Sequence, residues 1–245
     1  DGIRKAITPK TKAIVPVHLF GRAANMDAIM EIAHEHNLYV IEDNAQAIGA
    51  DYTSKDGSKK KVGTIGHVAA TSFFPSKNLG CYGDGGAIFT NNDDFAKKIK
   101  MFSNHGESKR YYHNIIGINS RLDSIQAEVL NVKLKYLNDY NNARNQMAEN
   151  YNKAFNSVEQ LHIPELNKNS THVYHQYTLR VHPIYRDPLR LYLKGKGIDN
   201  RIYYPIPLHK QKVFSKIVDS TYHLPNTNLL SATCLSLPIH TEIEN

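Results

Sequence analysis

The feature that most constrains the fold is a strand–helix–strand pattern near the start of the chain. An apolar strand lies within Ala13–Leu19, and a second strand at Leu38–Ile41 is followed by two acidic residues. Between them, Asn25 can cap a helix over Met26–His36 whose apolar residues fall on one face. This order implies parallel strands joined by a right-handed crossover, so the chain is predicted to begin with an α/β layer.

The same layer is predicted to continue with strands at Val68–Phe74 and Gly86–Thr90 and a helix at Asp93–Met101. From Leu122 to about Phe155, apolar residues recur at helical spacing, which indicates one long helix between two domains. We therefore predict an α/β large domain with a mostly parallel sheet over residues 1–155, ending in this interdomain helix.

The pattern changes after Pro164. His175–Val181 alternates like an antiparallel strand, Asp187–Lys194 favours a short helix, and Ile202–Tyr204 favours another strand. This mixture is typical of an α+β arrangement, which we predict as a smaller domain over residues 156–245.

Composition narrows the classes of function. The chain has 41% hydrophobic and 22% charged residues, an ordinary globular balance, and no apolar run long enough to span a bilayer. The basic residues behind the formal charge of +7 are scattered, and their densest run, Lys59–Lys61, is expected in a solvated loop. This distribution does not favour a nucleic-acid partner, whereas it suits an anionic small molecule. Two cysteines make neither a disulfide framework nor a metal site, so we expect a cytoplasmic protein without a metal.

Both ends of the sequence are abrupt. The chain opens on Asp1, and no capped element is predicted before the first strand. At the other end, the segment after Leu235 stops as a new element begins. We expect the sequence to be a piece of a longer protein, truncated at both ends.

Candidate chemistry lies where the strands of the first domain end, because open α/β sheets bind ligands at the carboxyl ends of their strands. Asp43 follows the second strand, His18 lies near the end of the first, and Ser72 to Lys77 follow the third. Asp43 and Lys77 are therefore expected to converge, either as a salt bridge or as part of one pocket. Spacing alone leaves both interpretations open.

Two local sequences carry more information. Ile41–Ala50 places Asp43 and Gln46 three residues apart at a strand end, and Thr71–Ala87 places Lys77 in a Gly-rich turn between two strands. Together they resemble the DegT-type family of nucleotide-sugar aminotransferases, which has the aspartate aminotransferase fold and uses pyridoxal phosphate. Further segments are similar to the family in the same order: Val15–Gly21, Ala24–Asp27, Gly117–Ala127, His175–Thr178 and Tyr203–His209. The resemblance implies a three-layer large domain of the pyridoxal-phosphate transferase type, present in part, with a smaller α+β C-terminal domain.

The resemblance also implies roles around the cofactor, pyridoxal 5′-phosphate. Lys77 would hold the cofactor as a Schiff base and move the proton at the substrate carbon, a task that a lowered pKa assists. Asp43 would pair with the pyridinium nitrogen. Gln46 would contact the phenolic-oxygen side, Ser72 would donate to the phosphate, and Asn119 would reach the phosphate from the neighbouring subunit.

Substrate contacts follow from the same resemblance. Arg121 matches a position that meets an anionic group of the sugar nucleotide across a dimer interface, and a planar guanidinium suits phosphate or carboxylate. Tyr203, Tyr204 and His209 match the segment that shapes the sugar site.

The implied protein is a homodimer with shared active sites. It would transfer an amino group from a donor, by analogy glutamate, to a keto group of a nucleotide-linked sugar, with C3 favoured over C4. Surface polysaccharide or glycoconjugate biosynthesis is the expected setting, and a non-catalytic, regulatory member of the same fold is the alternative. A related dehydratase branch replaces the lysine with histidine, so Lys77 argues against that activity.

Several other residues are expected to have no role in the chemistry. Glu42 is interpreted as a surface carboxylate, because strand alternation points it away from Asp43. His18 and His105 are expected to be structural, and the glycines of Gly83–Gly86 have the wrong spacing for a dinucleotide site.

The chain departs from the family pattern in two respects. The family segment that supplies a Gly-Ser/Thr cradle for the phosphate, and a residue that stacks on the ring, has no match in the sequence. Asn44 stands where the family usually has a small apolar residue.

Overall fold

The computed structural model describes residues 1–218 and 223–242, and the chain divides into two compact units. The first unit comprises Asp1–Asn142 and Leu166–His175, and the second comprises Ala143–Glu165 and Gln176–Asn245. The domain boundary expected at residue 155 stays a prediction.

The first unit is built around a mixed sheet. Its elements are α1 (Gly2–Ala6), β1 (Ala13–Ile14), α2 (Met26–Glu35), β2 (Tyr39–Asp43), β3 (Asp51–Thr53), β4 (Lys59–Lys61), β5 (Val68–Ser72), β6 (Gly86–Phe89), α3 (Asp93–Ser103), β7 (Glu107–Lys109), β8 (Tyr112–His113), α4 (Ser124–Leu134) and the start of α5 (Leu137–Phe155). In the sheet, β1, β2, β5 and β6 lie side by side in that order. The pairs β1–β2 and β2–β5 are parallel, whereas β6 runs antiparallel to β5. The predicted crossover is present, and its helix begins where expected, since the Asn25 side chain accepts a hydrogen bond from the Ala28 N–H.

The start of this unit is more detailed than predicted. The strand within Ala13–Leu19 spans only Ala13–Ile14, and beyond Pro16 its pairing continues as an isolated bridge between Val17 and Asp43. Helix α1 precedes it, and no side chain caps its N-terminus. The prediction of a loop at Lys59–Lys61 was wrong. The run Lys59–Lys61 is strand β4, paired with β3, because an exposed hairpin strand can carry lysines as readily as a loop does.

The long helix predicted from Leu122 to Phe155 is α4 followed by α5, with a break after Leu134. The Asp123 side chain caps α4 by accepting from the Gln126 N–H at 2.9 Å. Apolar residues keep their helical spacing across the break, so periodicity alone does not reveal it.

The second unit contains the remainder of α5 and a small antiparallel sheet. Its further elements are β9 (Leu161–His162), β10 (Tyr177–Val181), α6 (Pro183–Gly195), α7 (Pro225–Thr233) and β11 (Cys234–Leu237), and β10 lies between β11 and β9. Helix α6 begins four residues before the predicted Asp187, because His182 caps it and Pro183 occupies its first turn. Ile202–Tyr204 is not a strand, since only the neighbouring Arg201 pairs, in an isolated bridge to Ser236.

Two buried apolar clusters in the first unit position the strand ends. One joins α2 to β2 and β3 through residues such as Met26, Val40 and Tyr52, each 0% exposed. The other packs the segment after β5 against α4 and α5, and consists of Phe73, Leu79, Cys81, Leu130 and Leu137. Within residues 1–218 and 223–242, none of the helices combines the length and apolar character needed to cross a membrane.

Candidate active site

Asp43 is fixed at the carboxyl end of β2 by pairing on both sides. Its N–H donates to the Pro16 carbonyl at 2.9 Å, its carbonyl accepts from the His18 N–H at 3.0 Å, and it lies opposite Ala70 in β5. The side chain is half-buried, and its Oδ1 accepts from the Ala45 N–H at 3.1 Å. The carboxylate is therefore held at the sheet edge where ligands of such folds bind.

Lys77 lies in a tight turn between β5 and β6, defined as Phe73–Cys81 and called the lysine turn below. Its N–H donates to the Phe74 carbonyl at 2.8 Å, and the Cys81 N–H closes the turn on the Phe73 carbonyl at 2.8 Å. A Cβ at Gly80 would lie 2.5 Å from the Pro75 carbonyl oxygen, so this close approach requires glycine.

The fold brings Lys77 and Asp43 within electrostatic range of each other. Burial lowers the pKa of the Lys77 amine, while the Asp43 charge acts in the opposite direction. Burial has the larger effect, so the Lys77 pKa is lowered. A larger fraction of the amine is therefore neutral at moderate pH than in an ordinary lysine. A partly buried amine beside a carboxylate can form a Schiff base with an aldehyde and can transfer protons.

Gln46 and Ser72 lie at the same sheet edge, each close in sequence to one of these two groups. Gln46 is buried, and its Oε1 accepts from the Phe20 N–H at 2.6 Å. Phe20 has a positive φ of 63°, so this bond stabilises a strained loop after β1. Ser72 ends β5, and its hydroxyl oxygen accepts from the Phe74 N–H at 3.2 Å.

Glu42 is not a surface carboxylate, so that prediction was wrong. It does point away from Asp43, but it is 0% exposed and bonds to His18 Nε2 at 2.8 Å. It also accepts from the backbone N–H groups of Gly63, Ile65 and Gly66 at 2.9, 2.7 and 2.6 Å. Burial raises the pKa of Glu42, but the hydrogen bonds from His18 and the three N–H groups outweigh it and hold the pKa below its usual range.

We call Glu42 and the donors around it the carboxylate cage, and no local pattern in the sequence marks it. Gly66 allows the backbone to approach closely here, because a Cβ at Gly66 would lie 2.9 Å from the Val40 carbonyl oxygen. His18, expected to be structural, is 0% exposed, and its Nδ1 accepts from the Ala24 N–H at 3.1 Å. Its Nε2 therefore carries the proton that it shares with Glu42.

Asn44, the departure from the family pattern, has a structural use. Its side chain is 1% exposed, and Nδ2 donates to the Val62 carbonyl at 3.2 Å. Gly63 packs against this amide with a positive φ of 91°, and a Cβ there would lie 2.6 Å from Nδ2. The amide thus helps to hold the segment that encloses Glu42.

Asn119 and Arg121 are exposed and interact with each other. Arg121 Nε donates to Asn119 Oδ1 at 3.0 Å, and Asn119 pairs with Asn104 in an isolated bridge. The pair lies on the surface of the first unit, after the β7–β8 hairpin.

Tyr203, Tyr204 and His209 lie in loops of the second unit. The two tyrosine rings meet edge to face with centroids 5.5 Å apart, and the Tyr203 carbonyl accepts from the Cys234 thiol at 3.5 Å. His209 belongs to a short 3-10 turn over Leu208–Lys210. Their substrate roles, like the roles of all the predicted site residues, stay predictions.

Comparison with known proteins adds independent evidence. Residues 1–245 match the DegT/DnrJ/EryC1/StrS aminotransferase family. A pleiotropic regulatory protein of Geobacillus stearothermophilus is 43% identical over 99% of this chain and 64% of its own length. A UDP-N-acetyl-3-dehydro-α-D-glucosamine 3-aminotransferase of Acidithiobacillus ferrooxidans is 42% identical over 99% of this chain and 63% of its own length. The chain thus spans less than two thirds of the length of these relatives.

Solved structures agree with the sequence comparison. DesV of S. venezuelae, in complex with a ketimine intermediate, has a TM-score of 0.93 at 38% identity, covering 99% of this chain and 64% of that one. NtdA of Bacillus subtilis, with bound cofactor PMP, has a TM-score of 0.88 at 33% identity, covering 98% of this chain and 54% of that one. The predicted fold class is confirmed, and the chain belongs to the DegT/DnrJ/EryC1/StrS aminotransferase family.

Proposed function

We propose that this protein is a pyridoxal-phosphate-dependent aminotransferase that acts on a nucleotide-linked keto sugar. The observation that carries the proposal is the position of Lys77, a partly buried amine, within electrostatic range of Asp43, a carboxylate at the end of β2. Family membership supports it, because the family is one of aminotransferases.

The residues present fit the cofactor, whose amino form, PMP, is bound in a solved relative. Pyridoxal phosphate offers an aldehyde for an amine, a ring nitrogen for a carboxylate and a phosphate for hydroxyl donors; when bound, it withdraws electrons from the reacting carbon. Lys77 would supply the amine, Asp43 the carboxylate and Ser72 a hydroxyl. Gln46 Oε1 is already bonded to Phe20, so its amide nitrogen is the atom proposed to face the phenolic oxygen.

Each protein group would have a distinct task. The Lys77 amine would hold the cofactor and then move a proton at the substrate carbon, and the lowered pKa keeps the amine available for both steps. Asp43, oriented by the Ala45 N–H, would keep the ring nitrogen protonated.

The proposed substrate is a nucleotide-linked sugar with a keto group at C3, and the proposed donor is glutamate. The name of the A. ferrooxidans relative supports C3 over C4. Arg121 would bind an anionic group of the nucleotide, and Tyr203, Tyr204 and His209 would shape the sugar site. Surface polysaccharide or glycoconjugate biosynthesis is the proposed setting.

The proposed assembly is a homodimer in which Asn119 and Arg121 serve the partner's site. Large apolar side chains flank this pair in the sequence and are exposed to solvent: Ile116 is 95% exposed and Ile125 is 75% exposed. Apolar surface of this kind favours burial against a partner.

Reductive labelling tests the proposal. The full-length protein is incubated with pyridoxal phosphate, reduced with borohydride and mapped by peptide analysis. We expect the label on Lys77, with a pH midpoint below the ordinary range of lysine because burial lowers the Lys77 pKa. Lys77→Arg keeps the charge and should lose the label, whereas Lys61→Arg, at an exposed lysine paired with Asp51, should not. A label on another lysine in the wild type refutes the assignment.

A separate sample of the full-length protein, loaded with pyridoxal phosphate and not reduced, is supplied with glutamate and with UDP-linked 3-keto and 4-keto sugars. We expect amination of the 3-keto sugar; amination of the 4-keto sugar instead would establish the C4 alternative.

A regulatory member of the family is the second candidate, because a relative 43% identical is named a pleiotropic regulatory protein. That candidate predicts cofactor binding at Lys77 without a glutamate half-reaction. Conversion of the bound cofactor to its amino form by glutamate would rule it out.

A further inference from the structure

Asn78, next to Lys77 in the lysine turn, has a fully bonded side chain in the interior of the first unit. It is 6% exposed. Its Nδ2 donates to Asn141 Oδ1 at 2.7 Å and to the Val173 carbonyl at 2.8 Å. Its Oδ1 lies 3.2 Å from His175 Nδ1, which serves as the donor in this pair. A buried amide whose two donors and acceptor are all engaged has one orientation in which it is satisfied.

The network continues from Asn141 to the segment that follows Asp43. Asn141 Nδ2 donates to the Ile48 carbonyl at 3.3 Å. Gly49, with a positive φ of 87°, permits this approach, because a Cβ there would lie 2.6 Å from Asn141 Nδ2. The side chains of Asn78 and Asn141 therefore connect the lysine turn to the loop that carries Gln46.

Other bonds of the lysine turn act within the turn, toward α4, or to the adjoining strand ends, where the Phe73 N–H donates to the Gly85 carbonyl and the Phe74 N–H to the Ser72 hydroxyl. The Lys77 N–H and the Cys81 N–H bond to carbonyls of the turn itself, and Lys133 Nζ donates to the Gly80 carbonyl at 2.5 Å. These contacts set the shape of the turn. Asn78 instead ties the turn to Asn141 and to Val173–His175, and through Asn141 to the Ile48 carbonyl after β2, so it adds a polar link between the turn and the segment that follows Asp43.

We infer that Asn78 is a positioning residue that holds the Lys77 amine at the edge of the sheet next to Asp43 and Gln46. The inference rests on the proposed function of Lys77. Without the network, the lysine turn keeps its local bonds and its apolar packing but loses its side-chain link to the segment that carries Gln46. The Lys77 amine is then held less firmly and is more exposed to water.

The test compares Asn78→Ala with wild type in the full-length protein before any turnover. One measurement is the rate of Schiff-base formation with pyridoxal phosphate, followed by visible absorbance. We expect it to fall about tenfold or more, because misplacing a reacting group costs rates of that order. The other is the pH midpoint for modification of Lys77 in the cofactor-free protein by trinitrobenzenesulfonate, read by peptide mapping. We expect that midpoint to rise toward the ordinary lysine range as hydration increases.

Asn200→Ala is the matched control. Asn200 is also a buried amide, 8% exposed, whose Nδ2 donates to the carbonyls of Arg190 and Ile198, but it lies in the second unit. The Asn200→Ala variant should lower the melting temperature as Asn78→Ala does. It should leave the rate of Schiff-base formation and the pH midpoint of Lys77 modification at their wild-type values. A purely structural role for Asn78 gives this same control-like result, and that outcome overturns the inference.

If Asn78→Ala does not fold, Asn141→Ala provides the second test. It removes one partner of Asn78 and the link to Ile48, so both measurements should shift in the same direction by a smaller amount. Wild-type values in a folded Asn141→Ala protein also overturn the inference. Failure of the proposed function is distinguishable, because the wild-type protein itself would then show no Schiff base at Lys77.

Discussion

Glu42 and Asp43 are neighbours in β2, yet their surroundings give them opposite tasks. Asp43 faces the sheet edge, half-buried, within range of Lys77. Glu42 faces the interior, where His18 and the N–H groups of Gly63, Ile65 and Gly66 surround it. Alternation along the strand separates the two carboxylates, and the donors on each side decide which one stays available for chemistry.

Glu42→Gln tests the cage at the residue scale. The amide would present N–H groups to donors that require an acceptor, so we expect the free energy of unfolding to fall by about 3 kcal/mol. The measurement is urea unfolding at pH 7. Glu35→Gln is the control: its ion pair with Arg4 is 41% exposed on both sides and should contribute little.

The pH dependence of the same variant has a definite sign. The folded-state pKa of Glu42 is lowered, so its stabilising contribution is present above the ordinary value of 4.5 and is lost as the pH falls through the folded-state value. The difference in the free energy of unfolding between wild type and Glu42→Gln should therefore shrink as the pH falls below 4.5 toward the folded-state pKa of Glu42. A constant difference down to strongly acidic pH would contradict the assignment of the carboxylate form.

At the scale of elements, the lysine turn shows how a short segment is held from several sides. Phe73, Leu79 and Cys81 pack against Leu130 in α4 and Leu137 in α5. The Cys81 sulfur lies 3.0 Å from the carbonyl oxygens of both Phe73 and Gly83, and its single S–H can donate to either of them. The turn is therefore fixed by its neighbours as well as by its own sequence.

Gly80→Ala should disrupt this element. Its Cβ would lie 2.5 Å from the Pro75 carbonyl oxygen and 2.7 Å from that of Phe74, and backbone atoms of a tight turn have little freedom to move. We expect a loss of more than about 2 kcal/mol in the free energy of unfolding, measured by thermal or urea unfolding. Gly195→Ala, in the last turn of α6 with no atom within 4 Å of the new Cβ, should change stability by less than about 1 kcal/mol, toward greater stability. Equal effects of the two substitutions would show that the turn tolerates a side chain.

At the scale of the whole molecule, a shared active site can be tested by mixing two inactive variants, because each subunit would supply residues to the site of its partner. Lys77→Ala and Arg121→Ala proteins, each inactive alone, are unfolded, mixed and refolded together. If Arg121 serves the partner's site, each mixed C2 dimer has one intact site and one doubly altered site. Random pairing of equal amounts makes about half of the dimers mixed, so activity should return to about one quarter of wild type. Asn119→Ala should behave as Arg121→Ala does.

The matched control pairs Lys77→Ala with Asp43→Asn. Both residues belong to one site in the same chain, so a mixed dimer restores neither site fully and activity should stay near background. Recovery in this control, or no recovery with Arg121→Ala, would contradict the cross-subunit arrangement.

Elements whose signals are local could be predicted from the amino-acid sequence. The Asn25 cap and the apolar face of α2 predicted the crossover, and the crossover implied the parallel pair β1–β2. The motifs around Asp43 and Lys77 indicated the family, which the comparison with known proteins confirmed. The placement of Asp43 and Lys77 at one sheet edge also follows from sequence, since parallel strands end on the same side.

Features that depend on partners far away in the sequence could be read only from the folded chain. A strand pattern shows that Glu42 faces away from Asp43, but only the return of Gly63–Gly66 and His18 decides that this face is a buried cage. Likewise, Asn78 is an ordinary turn residue in the sequence, and its role arises from Asn141 and from Val173–His175, which are 63 and more residues away. Local patterns report propensity and periodicity; the burial and hydrogen-bond partners of a polar side chain are set by chain segments that no local window contains.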